Sequence, residues 1–170
     1  MRKIVYSVAM SLDGYVAGPN GEFDWIVMDP EIDFMRMMSR FDTLLMGRRT
    51  FEAAQSQGSG AMPGVKSIVV SRTLRQADHP GVTIIADDVG ARVSQLRAQS
   101  GKDIWLFGGG SLFRSLLDLG LVDTIEVAVI PVLLGGGIPL LPARDQRSTL
   151  RLINSRTYKK TGTVSLEYAI

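Results

Sequence analysis

Three segments of the chain end an apolar run in residues suited to holding an anion. Leu44-Leu45-Met46 leads into Gly47-Arg48-Arg49-Thr50, and Ile68-Val69-Val70 leads into Ser71-Arg72. Ile104-Trp105-Leu106-Phe107 leads into Gly108-Gly109-Gly110-Ser111-Leu112. Glycine lets an anion approach the backbone with no Cβ in the way. The first amides of a helix have no internal partners and carry partial positive charge, and a guanidinium forms forked hydrogen bonds to phosphate oxygens. Each junction also has a plainer reading, as a tight turn or as solvated surface arginines. Three such junctions together point to a ligand with several phosphates, and a dinucleotide fits. The spacing matches neither the dinucleotide fingerprint nor the lysine-containing phosphate loop.

Other residues with chemical potential are scattered. Asp13, in Ser11-Leu12-Asp13-Gly14, is either a turn carboxylate capping local amides or a group that orients a substrate hydroxyl or relays a proton. Trp25 follows an acidic, glycine-containing stretch and either packs beneath its loop or stacks on a substrate ring. The run Gly135-Gly136-Gly137 offers a second backbone nest for an anion, or a bend. His79, before Pro80, reads as structural, and no cluster of residues has metal-ligand spacing.

The elements that must carry these residues alternate. Residues 3–12 form a first strand, closed by Asp13-Gly14, and residues 13–28 a long loop. Asp29-Pro30 reads as a helix start, with Asp29 as N-cap and Pro30 in the first turn, and Ile32, Met35 and Met38 as its buried stripe. A strand at 43–46 precedes a short helix from Arg48 or Thr50, and residues 55–64 read as a flexible connection. Strands at 66–71 and 82–86 follow. Asp87 or Asp88 caps a helix with the stripe Val89, Val93, Leu96 and Gly101 just past its end. After a strand at 103–107, Leu112, Leu116 and Leu119 form one helical face ending at Gly120. Then come a strand at 123–130, a loop at 131–142 and a terminal hairpin around Gly162. The pattern predicts an α/β fold of one domain over 1–170. Its central sheet is mostly parallel, with helices on both faces and antiparallel C-terminal edge strands. Such sheets bind ligands at the carboxyl ends of their strands.

The composition narrows the classes. With 170 residues, 45% of them hydrophobic, the chain can bury one proper core. No basic stripe interleaved with aromatics accompanies the net charge of +2, which argues against nucleic acid as a partner. No cysteine is present, which excludes disulfides and thiolate chemistry. No stretch has the length of a membrane span, and the expected location is the cytoplasm.

The succession Met-Gly-Arg-Arg-Thr-Phe-Glu (46–52), Val-Val-Ser-Arg (69–72) and Leu-Phe-Gly-Gly-Gly-Ser-Leu (106–112) resembles the dihydrofolate reductase fold. The opening Val8-Ala9-Met10-Ser11-Leu12-Asp13-Gly14-Tyr15 and the late run 131–142 are more similar to a relative, the reductase domain of the bifunctional riboflavin-biosynthesis deaminase-reductase, and to stand-alone bacterial proteins that share it. The resemblance spans about residues 2 to 169 and implies an NADPH-dependent reductase of a small-molecule substrate. It maps the adenosine-phosphate side of NADPH to Gly47, Arg48, Thr50, Ser71 and Arg72, with Arg49 beside them. It maps the pyrophosphate to Gly108, Gly109, Gly110, Ser111 and Leu112, with a cis peptide between two of the glycines. Ala9 is implied to line the nicotinamide with Val8 and Met10. Asp13 lies in the turn at the mouth of the nicotinamide pocket and Trp25 in the loop beyond it, and for the substrate side the resemblance implies a helix carboxylate, Asp33 or Glu31. The pterin pattern around that helix is missing, which argues against folate itself. The zinc-deaminase signature of the bifunctional enzyme is also absent. Relatives often dimerise through the terminal strands, so a homodimer is expected. The alternatives are an NADP(H)-binding protein without turnover and a module in which the glycine junctions are only turns.

Overall fold

The computed structural model describes residues 1–56 and 64–170. Among them the strands are β1 (Ile4–Ser11), β2 (Tyr15–Ala17), β3 (Phe41–Gly47), β4 (Lys66–Val70), β5 (Thr83–Ile85), β6 (Asp103–Gly108), β7 (Thr124–Ile130), β8 (Ile138–Pro139), β9 (Arg151–Tyr158) and β10 (Thr163–Ala169). The helices are α1 (Phe34–Met38), α2 (Arg48–Ser56), α3 (Val89–Ala98) and α4 (Gly110–Asp118). One eight-stranded sheet runs in the order β5-β4-β3-β6-β1-β7-β10-β9. The first six of these pair in parallel, and β10 and β9 add antiparallel pairings at one edge. The expected α/β sheet with antiparallel terminal strands is therefore the observed one. No described helix is long and apolar enough to cross a membrane.

Strand alternation sorts the core into two layers. Ile4, Tyr6, Leu45, Ile104 and Leu106 face α3 and α4, where they meet Val93, Leu96, Phe113 and Leu116. Val5, Leu44, Met46 and Trp105 face the other way, toward Met38 of α1 and Phe51 of α2. Tyr6 stacks on Phe113 with ring centroids 3.9 Å apart. Each such large apolar side chain, fully buried, stabilises the fold by about 1.5–3 kcal/mol.

Several local expectations are corrected. The helix expected from Asp29 begins at Phe34, capped by Asp33, whose Oδ1 accepts from the Arg36 amide at 2.9 Å. Asp29 is committed elsewhere. Its buried carboxylate accepts from Glu31 N (2.9 Å), Thr161 N (3.1 Å) and Thr161 Oγ1 (2.8 Å), tying residue 29 to the β9–β10 turn. In the shortened helix Met38 is buried but Met35 is 77% exposed. The α4 face is made by Leu112, Phe113, Leu116 and Leu117, while Leu119 sits at the C-cap and is exposed. Asp88 occupies the N-cap position of α3 without a side-chain cap, at φ +49°, a region Asp tolerates better than most residues. The long loops at 13–28 and 131–142 contain the short antiparallel pair β2–β8. Gln55 and Ser56 finish α2; the rest of the connection expected over 55–64 falls on 57–63, outside the described residues, up to the turn at Gly64.

Gly101 lies beyond the α3 C-cap at Gln99, and its role is close packing. A methyl group there would come within 2.6 Å of Asp42 Oδ2, at φ +151°. Asp42 pairs with Arg2, which also donates to Thr43 Oγ1 at 2.7 Å and is 7% exposed. This polar knot ties the amino-terminal ends of β1 and β3 together, far along the strands from their carboxyl ends.

Candidate functional site

Parallel pairing brings the carboxyl ends of β1, β3, β4 and β6 to one edge of the sheet, where the three anion-suited junctions meet. A methyl group placed on Gly47 would lie 3.9 Å from Gly109 N and 4.0 Å from Gly108 O. The first turn of α2 projects Thr50 onto the same glycines. Methyls at Gly108 and Gly109 would come within 3.3 and 3.4 Å of its Oγ1. Gly108 sits at φ +140°, which only glycine adopts without strain, and the Gly108–Gly109 peptide bond is cis. Gly109 is the N-cap of α4, with no side chain capping the amides that follow. An uncapped, glycine-lined helix start is suited to an anion. Ser111 is exposed at this end and Leu112 is buried beneath it.

Beside this cradle, Arg48 joins β3's junction to β4's. Its Nη1 donates to Thr73 Oγ1 at 2.9 Å, and its Nε lies 3.5 Å from Glu52 Oε1. The hydroxyl of Ser71 accepts from Thr73 N (3.2 Å) and Leu74 N (3.1 Å) and lies 3.3 Å from Thr73 Oγ1. The Ser71 amide donates to Ile85 O, so the β4 and β5 ends are joined too. Arg49 and Arg72 are exposed and form no ion pair among the described residues. Two guanidiniums are thus left to solvent beside a third that is already oriented.

Ala9 is half-buried on β1, in register with Ala128 of β7. The strand ends in Ser11, whose Oγ accepts from Tyr15 N at 2.9 Å and donates to Asp13 Oδ1 at 2.7 Å. Asp13 also accepts from Leu134 N at 3.1 Å and Gly135 N at 2.7 Å. The Ser11 hydroxyl, followed by these amides, holds its carboxyl below the usual aspartate value despite some desolvation. Trp25, half-buried, donates from its indole to Glu22 O at 3.2 Å, within its own loop. Asp33 is exposed at the α1 N-cap. The structure therefore brings Gly47, Thr50, Gly108 and Gly109 together beside the linked Arg48, Thr73 and Ser71, while no hydrogen bond links Asp13, Trp25 and Asp33 among the described residues.

Two features of the site escaped sequence reasoning. Thr73 bridges Arg48 to Ser71; the Ser-Arg-Thr triplet, a pattern for a side-chain-capped turn, was the available signal. The other is a wall of residues 139–142 against Gly110, a long-range contact with no local signature.

Comparison with known proteins agrees with this geometry. The RibD C-terminal domain family model matches residues 2–164. YyaP of Bacillus subtilis is 35% identical over 179 residues, covering 98% of this chain and 94% of YyaP. A protein of Shewanella sp. PV-4 assigned provisionally to riboflavin biosynthesis has a similar structure, with TM-score 0.84, 27% identity and coverage of 99% and 98% of the two chains. Dihydrofolate reductase from Enterococcus faecalis, complexed with NADP(H), superposes with TM-score 0.68 at 17% identity over 98% and 95% of the chains, a likeness of fold.

Proposed function

The chain belongs to the RibD C-terminal domain family, and from that premise we propose that it is an NADPH-dependent reductase acting on a small heterocyclic or sugar-like carbonyl or imine. The observation that carries this reading is the meeting of Gly47, Thr50, Gly108 and Gly109 at an uncapped helix start, with Arg48 oriented beside them. The residues fit the cofactor: glycines leave the backbone bare where a pyrophosphate would lie, and the exposed guanidiniums of Arg48, Arg49 and Arg72 would supply charge to a 2′-phosphate.

In this reading Arg48, Arg72 and Ser71 hold the 2′-phosphate side, with Arg49 nearby. Gly108 to Leu112 and Thr50 hold the pyrophosphate, and Ala9 lines the nicotinamide. Bound NADPH supplies the hydride. The chain's own part is to align the substrate and exclude water. Asp13, an anion through the neutral range, orients a substrate donor group, Asp33 contributes to recognising the substrate, and the proton comes through a carboxyl group or a bound water. Trp25 borders the substrate side.

Titration of the folded protein with NADPH and NADH, by calorimetry or nicotinamide fluorescence, tests the proposal. Tight binding that depends on the 2′-phosphate is expected. Failure of a folded sample to bind either nucleotide refutes it. A second reading, NADP(H) binding without turnover, draws support from the engagement of Asp13 and Asp33 in local hydrogen bonds. Binding with no nucleotide oxidation across a screen of pterins, flavin precursors and small carbonyls would favour it. The protein is further proposed to work in the cytoplasm as a homodimer, since the edge strand β9 exposes Leu152 and Ile153 at 52% and 47%; sedimentation of the purified protein tests the dimer.

A further inference from the structure

We propose that Arg114 and Arg144 are positioning residues for the nucleotide site. They hold the segment 139–146 against α4, and that segment fixes the backbone at Gly110. The inference rests on the reading of the glycine run as a pyrophosphate cradle.

Apart from Pro139 in β8, the segment 139–146 lies outside the strands and helices, yet it is fastened at several points. The Tyr6 hydroxyl donates to Leu140 O at 3.3 Å. Arg114, on the flank of α4, donates from Nη1 to Ala143 O at 2.8 Å. Arg144 reaches back to α4, with Nη2 2.7 Å from Asp118 Oδ1, and donates from Nη1 to Ser148 Oγ at 2.9 Å. Only 10% of the Arg144 side chain is exposed, and its Nε is buried without a partner among the described residues. A buried guanidinium with an orphaned donor is a poor device for stability alone.

What these fastenings hold in place lies at the helix start. A methyl on Gly110 would meet Pro139 O at 3.0 Å, Pro142 Cδ at 3.0 Å and Leu140 O at 3.1 Å. The segment and Gly110 therefore fix each other's position. If the segment drifts, the first turn of α4 loses its wall, and its amides lose the alignment that an anion needs. The side chains of Arg114 and Arg144 make no hydrogen bond to residues 108–112, so the two guanidiniums act through the segment.

The test compares two probes at a temperature well below melting. NADPH spans the whole site, whereas adenosine 2′-monophosphate has neither phosphate of the pyrophosphate and rests on the Arg48 and Arg72 side. Arg144→Ala is expected to raise the Kd for NADPH roughly tenfold, the equivalent of one good hydrogen bond, and to leave adenosine 2′-monophosphate binding unchanged. Arg144→Lys should recover part of the loss, and Asp118→Ala should weaken NADPH binding in the same direction. Unchanged NADPH binding by Arg144→Ala, or equal losses for both probes, would overturn the proposal. So would tighter NADPH binding by Asp118→Ala, since a freed Arg144 would then be meeting the ligand itself. If the wild-type protein binds neither probe, the cofactor reading fails first and this one with it.

Discussion

The carboxylate of Asp13 accepts the amide proton of Gly135 at 2.7 Å and that of Leu134 at 3.1 Å, which joins the turn after β1 to the second glycine run. Gly135, at φ +71°, presents its amide as an anion nest does, and the anion it holds is the chain's own. The sequence reads that run as a nest for a ligand anion or as a bend, and the Gly135 amide is taken by a carboxylate of the chain itself. Its neighbours Ile138 and Pro139 continue into β8 and the wall beside Gly110, so the mouth of the first strand and the glycine cradle share a support.

Replacing Asp13 with Ala should loosen this support without unfolding the sheet. Amide hydrogen exchange at Leu134 and Gly135 is expected to speed up by about tenfold or more, as local opening no longer breaks a charge-assisted bond. Because the Asp13 pKa is lowered from 3.8 in the folded state, its contribution is complete above that value and is lost as pH falls through the folded pKa. Protection of the two amides should therefore decline in acid below pH 3.8, and Asp13→Ala should abolish that pH dependence. Persistent protection in the variant would mean the amides are held by something else.

Gly108 and Gly109 should respond differently to alanine. At Gly108 the positive φ alone strains any side chain, by about 1–3 kcal/mol, and Thr50 Oγ1 would stand 3.3 Å from the new methyl. At Gly109, where φ is −95°, the only close neighbour among the described residues is the same hydroxyl at 3.4 Å. Gly108→Ala should melt several degrees lower, whereas Gly109→Ala should keep its Tm and lose affinity for NADPH because the methyl projects into the cradle. Equal melting losses for both, or full NADPH affinity in Gly109→Ala, would contradict this assignment.

The main sheet and its terminal hairpin were legible because alternation and breaker residues are local signals: β1 stops at Asp13-Gly14, β6 at the triple glycine, and Gly162 turns the hairpin. The meeting of the three strand-end junctions was legible for a related reason. Parallel strands send all their carboxyl ends to one edge, so residues far apart in sequence need only share a strand-end position to meet. What escaped was set by distant contacts. Asp29 has the form of a helix cap, but Thr161, 132 residues away, takes its carboxylate. Leu119 continues the helical spacing, yet the helix ends beneath it and leaves it exposed. The β2–β8 pair has too few residues to show a period, and the wall on Gly110 depends on how a loop returns.

The two arginines nearest Ser71 should differ in how they recognise the 2′-phosphate. Arg72 is exposed with no ion pair among the described residues, so in the proposed site its charge would be offered directly. A charge-assisted hydrogen bond is worth roughly 1.5–3 kcal/mol, so Arg72→Ala should narrow the preference for NADPH over NADH by about tenfold or more. Arg48 is pre-oriented by Thr73 at 2.9 Å, and Thr73→Val should weaken NADPH binding more than NADH binding while every guanidinium remains. Titrating both nucleotides against the three proteins decides it. An unchanged ratio in Arg72→Ala would remove that residue from the site.

At the opposite ends of the strands, the Arg2–Asp42 pair should matter for stability and not for the nucleotide. Arg2 is 5% exposed at its side chain and Asp42 34%. Removing one partner of a fully buried pair costs about 3–5 kcal/mol, and the solvent reaching Asp42 reduces that here to roughly 2–3 kcal/mol for Arg2→Ala. Gly101→Ala should destabilise by a similar route, since its methyl would press on Asp42 Oδ2. Desolvation opposes the charge on Asp42, but hydrogen bonds from Lys102 N and Thr43, with the Arg2 charge, outweigh it and lower its pKa from 3.8. The pair's contribution is thus intact above that value and fades as pH falls through the folded pKa. Denaturant melts at neutral pH and in acid should show the gap between wild type and Arg2→Ala closing in acid, with NADPH affinity equal in both proteins at neutral pH. A loss of affinity in Arg2→Ala at temperatures where it is folded would show that the two ends of the sheet are coupled.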